Sequence, residues 1–290
     1  MARTGRAQVI CVPAPIPGRS SDVRSKFAMA ATIRVLRDVP GCVRGDHDST
    51  HVQPDDYLAA TSELIFLSLA VAWIITWFTN PQVIASNPLK DRIGYNNPCV
   101  GWDDPPALYV AAFMMQSALL CAIRYAVLDL IRARQKLRSR EIAKWQFEVT
   151  RAASIFTIVG MFLTPLLFVV TPKVSPEWHT SLYGVVILSR YAVVAGNFVE
   201  NRDEHISTIK YVYLFVYGAI SFTLMACLFL NFYNYRGNEE AYARGDRPVP
   251  ASIGMVVDYS WFACLVITGP FLPTYYELQI TYKLHPQETK

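Results

Sequence analysis

The feature that most constrains this chain is the run from Ala107 to Ile131, 25 residues in which only Arg124 and Asp129 carry charge. As a helix rising 1.5 Å per residue it would be about 37 Å long, more than the roughly 30 Å of a hydrocarbon core. A helix on the surface of a soluble core keeps a polar stripe, and this run has none, so it reads as membrane-spanning. Loop chemistry precedes it: Asn96-Asn97-Pro98-Cys99, then Asp103-Asp104-Pro105-Pro106. A basic cluster follows it: Arg132, Arg134, Lys136, Arg138, Arg140 and Lys144.

Composition agrees. Charged residues are 17% and hydrophobic ones 52%, against roughly 25% and 45–50% in soluble domains. Five further apolar runs, at 58–78, 152–170, 179–199, 211–233 and 253–276, complete an expected six-helix transmembrane bundle over 58–276. The fold class is therefore all-α and polytopic. A basic extension occupies 1–57 and a polar tail 277–290. Tryptophans at positions 73 and 77 end the first span as interfacial anchors, and Pro165 should kink the third.

Six spans put both termini on one side of the membrane. Of the 27 lysines and arginines, 19 fall on that side and six on the other. By the positive-inside rule the termini face cytoplasm, or matrix in a mitochondrial inner membrane. The extension carries eight positive residues before Asp46, with Asp22 its first acid. Ser20-Ser21-Asp22 could cap a short helix whose Ala28, Met29, Val35 and Leu36 share a face around Thr32. Such an arginine-rich amphipathic start resembles a mitochondrial transit peptide; a basic tail or a surface-lying helix reads the same way.

Few residues suggest chemistry. Arg190 lies near the middle of the fourth span, where an unpaired charge costs about 2.5–3.5 kcal/mol, so it should face the bundle and find an acid. Asp258 matches it best in depth, giving an expected intramembrane pair, Arg190 with Asp258. Arg124 and Asp129 lie in the basic-side half of their span, where an arginine can snorkel to the interface. The cluster Arg132, Arg134, Lys136, Arg138, Arg140 and Lys144 suits anionic phospholipid, cardiolipin on a matrix face, at about 1 kcal/mol per charge. No other cofactor is expected. The six cysteines are not spaced as metal pairs, and His179 is the only histidine in a span. No glycine-rich phosphate loop, catalytic serine motif or nucleic-acid platform occurs, and no small-molecule substrate is indicated.

Several short motifs resemble those of the DRAM/Frag/Sfk family of six-span proteins. They are Asp103-Asp104-Pro105-Pro106 closing a long first outer loop, Arg124-Tyr125, His179 opening the fourth span, Asp258-Tyr259, and Thr274 to Glu277. The match covers about residues 58–283, and Ala107 stands where the family has an acid after Pro-Pro. The resemblance implies an endomembrane protein of the lysosome, ER or Golgi, acting in lipid handling or autophagy. The residues alone point first to a non-catalytic accessory subunit of a mitochondrial inner-membrane complex, a respiratory complex or ATP synthase, with other membrane subunits and anionic lipids as partners. A small transporter is a third reading, weakened by the missing inverted repeat.

Overall fold

A computed structural model of the protein describes residues 8–13, 31–33, 35–36, 49–235, 237–273 and 278–283. Six long apolar helices dominate: α1 (Pro54–Thr79), α2 (Ala107–Arg138), α3 (Lys144–Leu163), α4 (Pro176–Glu200), α5 (Thr208–Tyr233) and α6 (Ala251–Val266). The first five are long and apolar enough to cross a membrane. Each packs against the next, and α6 closes on α1, so the helices form a ring in chain order. Large apolar side chains such as Phe66, Phe78, Phe113, Phe162, Phe215 and Phe229 stay on the outside, as lipid permits.

Helix ends depart from the apolar runs because capping chemistry and burial outrank hydropathy. Pro54 at the first position starts α1 four residues before Leu58, bringing Asp55 and Asp56 inside. Ser175 caps α4 by accepting from Trp178 N, and Pro176 follows it. Helix α2 runs on to Arg138, about 48 Å in all. Pro165 does not bend α3 but ends it, the chain tightening into a 3₁₀ turn over Thr164–Phe168. Helix α6 is shorter than the run 253–276: it breaks at Ile267 and resumes for one turn at Thr268–Phe271. That segment still runs the length of the bundle. At one end Gly254 lies against Tyr95, and at the other Gly269 lies against Ala59 and Lys210 Nζ donates to the carbonyl of Leu272 at 2.6 Å.

Small residues set the helix spacing. A Cβ on Gly196 of α4 would come within 2.9 Å of Ala153 Cβ on α3, and one on Gly160 of α3 within 2.9 Å of Ser189 Cβ on α4. This is how membrane helices approach without an apolar driving force between them.

The extension is partly strand. β1 (Gln8–Pro13) and β2 (Ser49–Val52) flank β3 (Leu278–Lys283) in an antiparallel sheet of order β1-β3-β2, so the tail is not wholly irregular. Ser20 to Asp22, Ala28 and Met29 lie outside the described residues. Residues 31–33 and 35–36 are helical, with Ala31, Thr32 and Val35 buried. Glu63 of α1 caps them, accepting from Ala31 N at 3.2 Å, Thr32 N at 2.9 Å and Thr32 Oγ1 at 2.7 Å. Glu63→Leu removes all three bonds, each to a charged acceptor. Protease cleavage N-terminal to Ser49 should then rise about tenfold or more; an unchanged rate would mean other contacts hold the segment.

Candidate functional site

Helix α4 carries the polar interior. Tyr183, Arg190 and Asn197 recur every seven residues, two turns apart, and so share the face that looks into the bundle. Each is buried and each anchors a different polar cluster.

At the basic end the centre is Arg132, 3% exposed. Its Nε and Nη2 grip Glu200 at 2.9 Å each, Nη2 also reaches Asp129 at 2.7 Å, and Nη1 reaches Asp55 at 3.3 Å. Lys136 Nζ lies 3.4 Å from Glu200, and donates to Asn201 at 2.7 Å and Glu204 at 3.1 Å. Ser154 donates to Asp129 at 2.7 Å, and Asn197 Nδ2 lies 2.9 Å from both Asp55 and the Tyr125 hydroxyl. Four helices, α1 to α4, are thereby tied by one network. Three carboxylates can be buried here because two cations and several neutral donors face them. Asp55 also gains from the N-terminus of α1.

At the loop end Asp258 of α6 is wholly buried and is held by neutral donors. Asn97 Nδ2 lies at 2.7 Å, Tyr95 OH at 3.1 Å and Tyr183 OH at 3.2 Å. Asn97 is aimed there because its Oδ1 caps the following 3₁₀ turn, Pro98–Trp102, by accepting from Cys99 N at 2.7 Å. The next residue, Tyr259, donates to Asn96 O at 3.1 Å. Beside this cluster Asp103 Oδ1 lies 3.8 Å from His179 Nε2, whose other nitrogen bonds Val170 O at 2.9 Å, and Asp104 pairs with Lys173. Burial, reinforced by the Asp104 charge and opposed by Lys173, lifts the Asp103 carboxyl well above the usual range. Burial likewise raises the Cys99 thiol.

Midway, Arg190 is fully buried, with no acid paired to it among the described residues. Nη2 donates to Ser62 Oγ at 2.7 Å and reaches Leu58 O at 3.4 Å, both on α1. Below the loop end an apolar void of about 20 Å³ lies among Thr61, Met115, Met161, Val186 and Trp261, room for one water-sized guest. A roomier cleft of about 470 Å³ opens at the surface of the loop end, lined by Lys90, Tyr235, Glu239, Tyr242 and Arg247.

The expected site residues are thus regrouped. Arg190 and Asp258 do not pair, because Asp258 is claimed by the first outer loop and Tyr183, while Arg190 turns towards α1. Arg124 and Asp129 part company: Arg124 stays exposed, over the Tyr57 ring at 4.9 Å, and Asp129 turns inward to Arg132. Arg132 and Lys136 are not lipid-facing, being consumed by buried carboxylates. Arg134, Arg138, Arg140 and Lys144 remain exposed at the basic end. Asp55, Asn197, Tyr95, Asn97 and Tyr183 carry no motif or hydropathy signal that singles them out in the sequence, and Glu200, at the inner end of the fourth span, matches Arg190 poorly in depth but serves Arg132 instead. The seven-residue spacing on α4 would have found two of them. Among the described residues no group of three or more His, Cys, Asp or Glu is placed to hold a metal ion.

The two arginines can be told apart by double-mutant cycles in detergent. Arg132→Met with Glu200→Gln should couple by about 1.5 kcal/mol or more, whereas Arg190→Met with Asp258→Asn should add within about 0.5 kcal/mol. A large Arg190–Asp258 coupling would reject the geometry above. Asp103 supplies a pH test. Its folded pKa lies above its unfolded one, so the stability it contributes is complete below about pH 4 and falls as pH rises towards the folded value. Asp103→Asn should therefore raise the Tm at about pH 8 and change it little near pH 4. An equal effect at both would mean that the carboxyl ionises freely.

Compared with known protein families, curated proteins and solved structures, the chain shows no match.

Proposed function

We propose that the chain is a free-standing membrane protein that holds and positions lipid at an endomembrane, without a catalytic step of its own, in the manner the DRAM/Frag/Sfk resemblance implies. The observation that carries this reading is convergence. Asp103 meets His179, and Asp258-Tyr259 meets Asn96-Asn97 of the same outer loop, so three of the five motifs gather at one end of the bundle, while Tyr125 joins the Arg132 network at the other and Thr274 to Glu277 lie outside the described residues. The extension supports it too: its described parts pair with β3 and Glu63, which belong to this chain. Exposed Arg134, Arg138, Arg140 and Lys144 form a collar at the opposite end, suited to anionic headgroups.

A second reading, the non-catalytic accessory subunit of a mitochondrial inner-membrane complex, is favoured by the Arg132 network. Its buried charges are spent on each other, which leaves apolar packing and lipid contact as what the bundle offers a partner.

One experiment separates the two: fractionation of source membranes, a mild-detergent native gel, and mass spectrometry of the band for protein and lipid. The first reading expects a small species in an endomembrane fraction. It also expects bound anionic phospholipid, most of it lost when Arg134, Arg138, Arg140 and Lys144 are together replaced by Gln. Migration in a megadalton band with respiratory or ATP synthase subunits would overturn it in favour of the second.

A further inference from the structure

Two outer loops meet over the loop end of the bundle, and the cleft of about 470 Å³ lies between them. Lys90 and Gly94 bring the first loop to it; Tyr235, Glu239, Tyr242 and Arg247 bring the loop that joins α5 to α6. We propose that this cleft binds a zwitterionic phosphodiester, an ammonium tethered to a phosphate, as in the headgroup of an ethanolamine phospholipid.

The walls are fixed without a ligand. Asn87 caps the turn Pro88–Ile93 by accepting from Lys90 N at 2.9 Å, and Gly94 ends it at φ +85°, a conformation that a residue with a Cβ rarely adopts. Across the gap Arg247 Nη2 donates to the carbonyl of Asp91 at 3.2 Å, and Arg92 lies over the Tyr235 ring at 4.4 Å. Tyr235 and Tyr242 meet edge to face at 5.2 Å, and the Tyr242 hydroxyl donates to Asn231 O at 2.8 Å. Small-molecule sites are largely preformed and span roughly 300–1,000 Å³, and this cleft has both properties.

Charge narrows the class. Lys90 and Arg247 are half-buried, and neither is paired to an acid among the described residues. Each reaches a backbone carbonyl instead, Lys90 Nζ that of Ala85 at 2.8 Å. Such cations keep donors for phosphate oxygens. Asp91 and Glu239 line the same cleft, so its formal charge is balanced. A bare anion would be set beside two carboxylates and a bare cation beside two basic groups; a guest that carries both charges meets neither penalty. The Tyr235 ring already carries Arg92, so a carboxylate rather than an aromatic cage meets the ammonium. That favours a primary ammonium, which can donate, over a quaternary one.

Depth points to a lipid as the source. Tyr233, the last residue of α5, is exposed as an interfacial anchor, and Tyr235 lines the cleft two residues beyond it, at headgroup level. For the source alone the inference rests on the lipid reading, and it places a second headgroup class at the end opposite the basic collar.

The test titrates the full chain, purified in maltoside detergent, by calorimetry with glycerophosphoethanolamine and separately with dihexanoyl phosphatidylethanolamine. Saturable binding of both supports the proposal. A lipid that binds about tenfold tighter than the free headgroup makes the membrane the source, and equal affinity makes it a soluble phosphodiester. Lys90→Gln and Arg247→Gln should each weaken binding about tenfold. Glu239→Gln, which can keep the bond from Gly237 N, should weaken it about threefold. Replacing Arg134, Arg138, Arg140 and Lys144 by Gln should leave this binding unchanged, so failure of the collar and failure of the cleft are read separately. No saturable binding, wild-type affinity in both Lys90→Gln and Arg247→Gln, or glycerol 3-phosphate binding as tightly as its ethanolamine ester would overturn the proposal.

Discussion

A charge inside a membrane bundle must be matched where it stands, because neither lipid nor a long side chain can bring it to water. That constraint organises this protein more than its apolar surface does. The helices could pack in many registers on hydropathy alone, since lipid tails and leucines are nearly equivalent neighbours. Arg132 removes that freedom. It must find Glu200 at the end of α4, Asp129 one turn back on α2 and Asp55 at the start of α1, all at once. Only one rotation and depth of the three helices satisfies it. The glycine contacts of α3 and α4 then set how closely they can lie.

The same logic explains what the sequence made legible. Five of the six apolar runs became helices long enough to cross a membrane, and the sixth became a shorter helix continued by one turn, because hydropathy reports the environment of a whole segment. It does not report which side of a helix faces inward. Tyr125, Asp129, Arg132 and Lys136 are spaced by four, three and four residues, one face of α2, and all are buried. Arg134 and Arg138 lie on the other face and are exposed. Counting basic residues treated the two faces alike, so Arg132 and Lys136 read as lipid contacts. Periodicity of the polar residues, rather than of the apolar ones, was the better guide.

The loop end was harder to read for a different reason. Asp258 was visible as a buried acid, but its partners come from an outer loop punctuated by Pro88, Gly94 and Pro98. Such a loop gives no periodic signal. Asn97 reaches Asp258 only because the same side chain caps a 3₁₀ turn, so its aim is set by local backbone bonding that hydropathy does not weigh. The strands of the extension were missed because Gln8–Pro13 and Leu278–Lys283 are brought together by the fold of everything between them.

Arg132 and Arg190 frame the remaining question of what the polar interior is for. Both are buried arginines in the same bundle, yet one is surrounded by three carboxylates and the other by hydroxyls and aromatic rings. If polar pinning were the sole purpose, Arg190 would be a poor choice. A serine or asparagine could bond Ser62 and the Leu58 carbonyl without bringing a charge to the midplane. Four carboxylates, Asp55, Asp129, Glu200 and the partly exposed Glu204, against two cations leave the Arg132 network with formal excess negative charge, and Arg190 lies three turns nearer the loop end on α4 than Glu200. Over that distance inside a low-dielectric bundle the attraction is real but cannot replace a hydrogen-bonded counter-ion, because orphaned N–H groups need contact and not merely field. Of its donors only Nη2 is engaged, and Nε and Nη1 find no partner among the described residues.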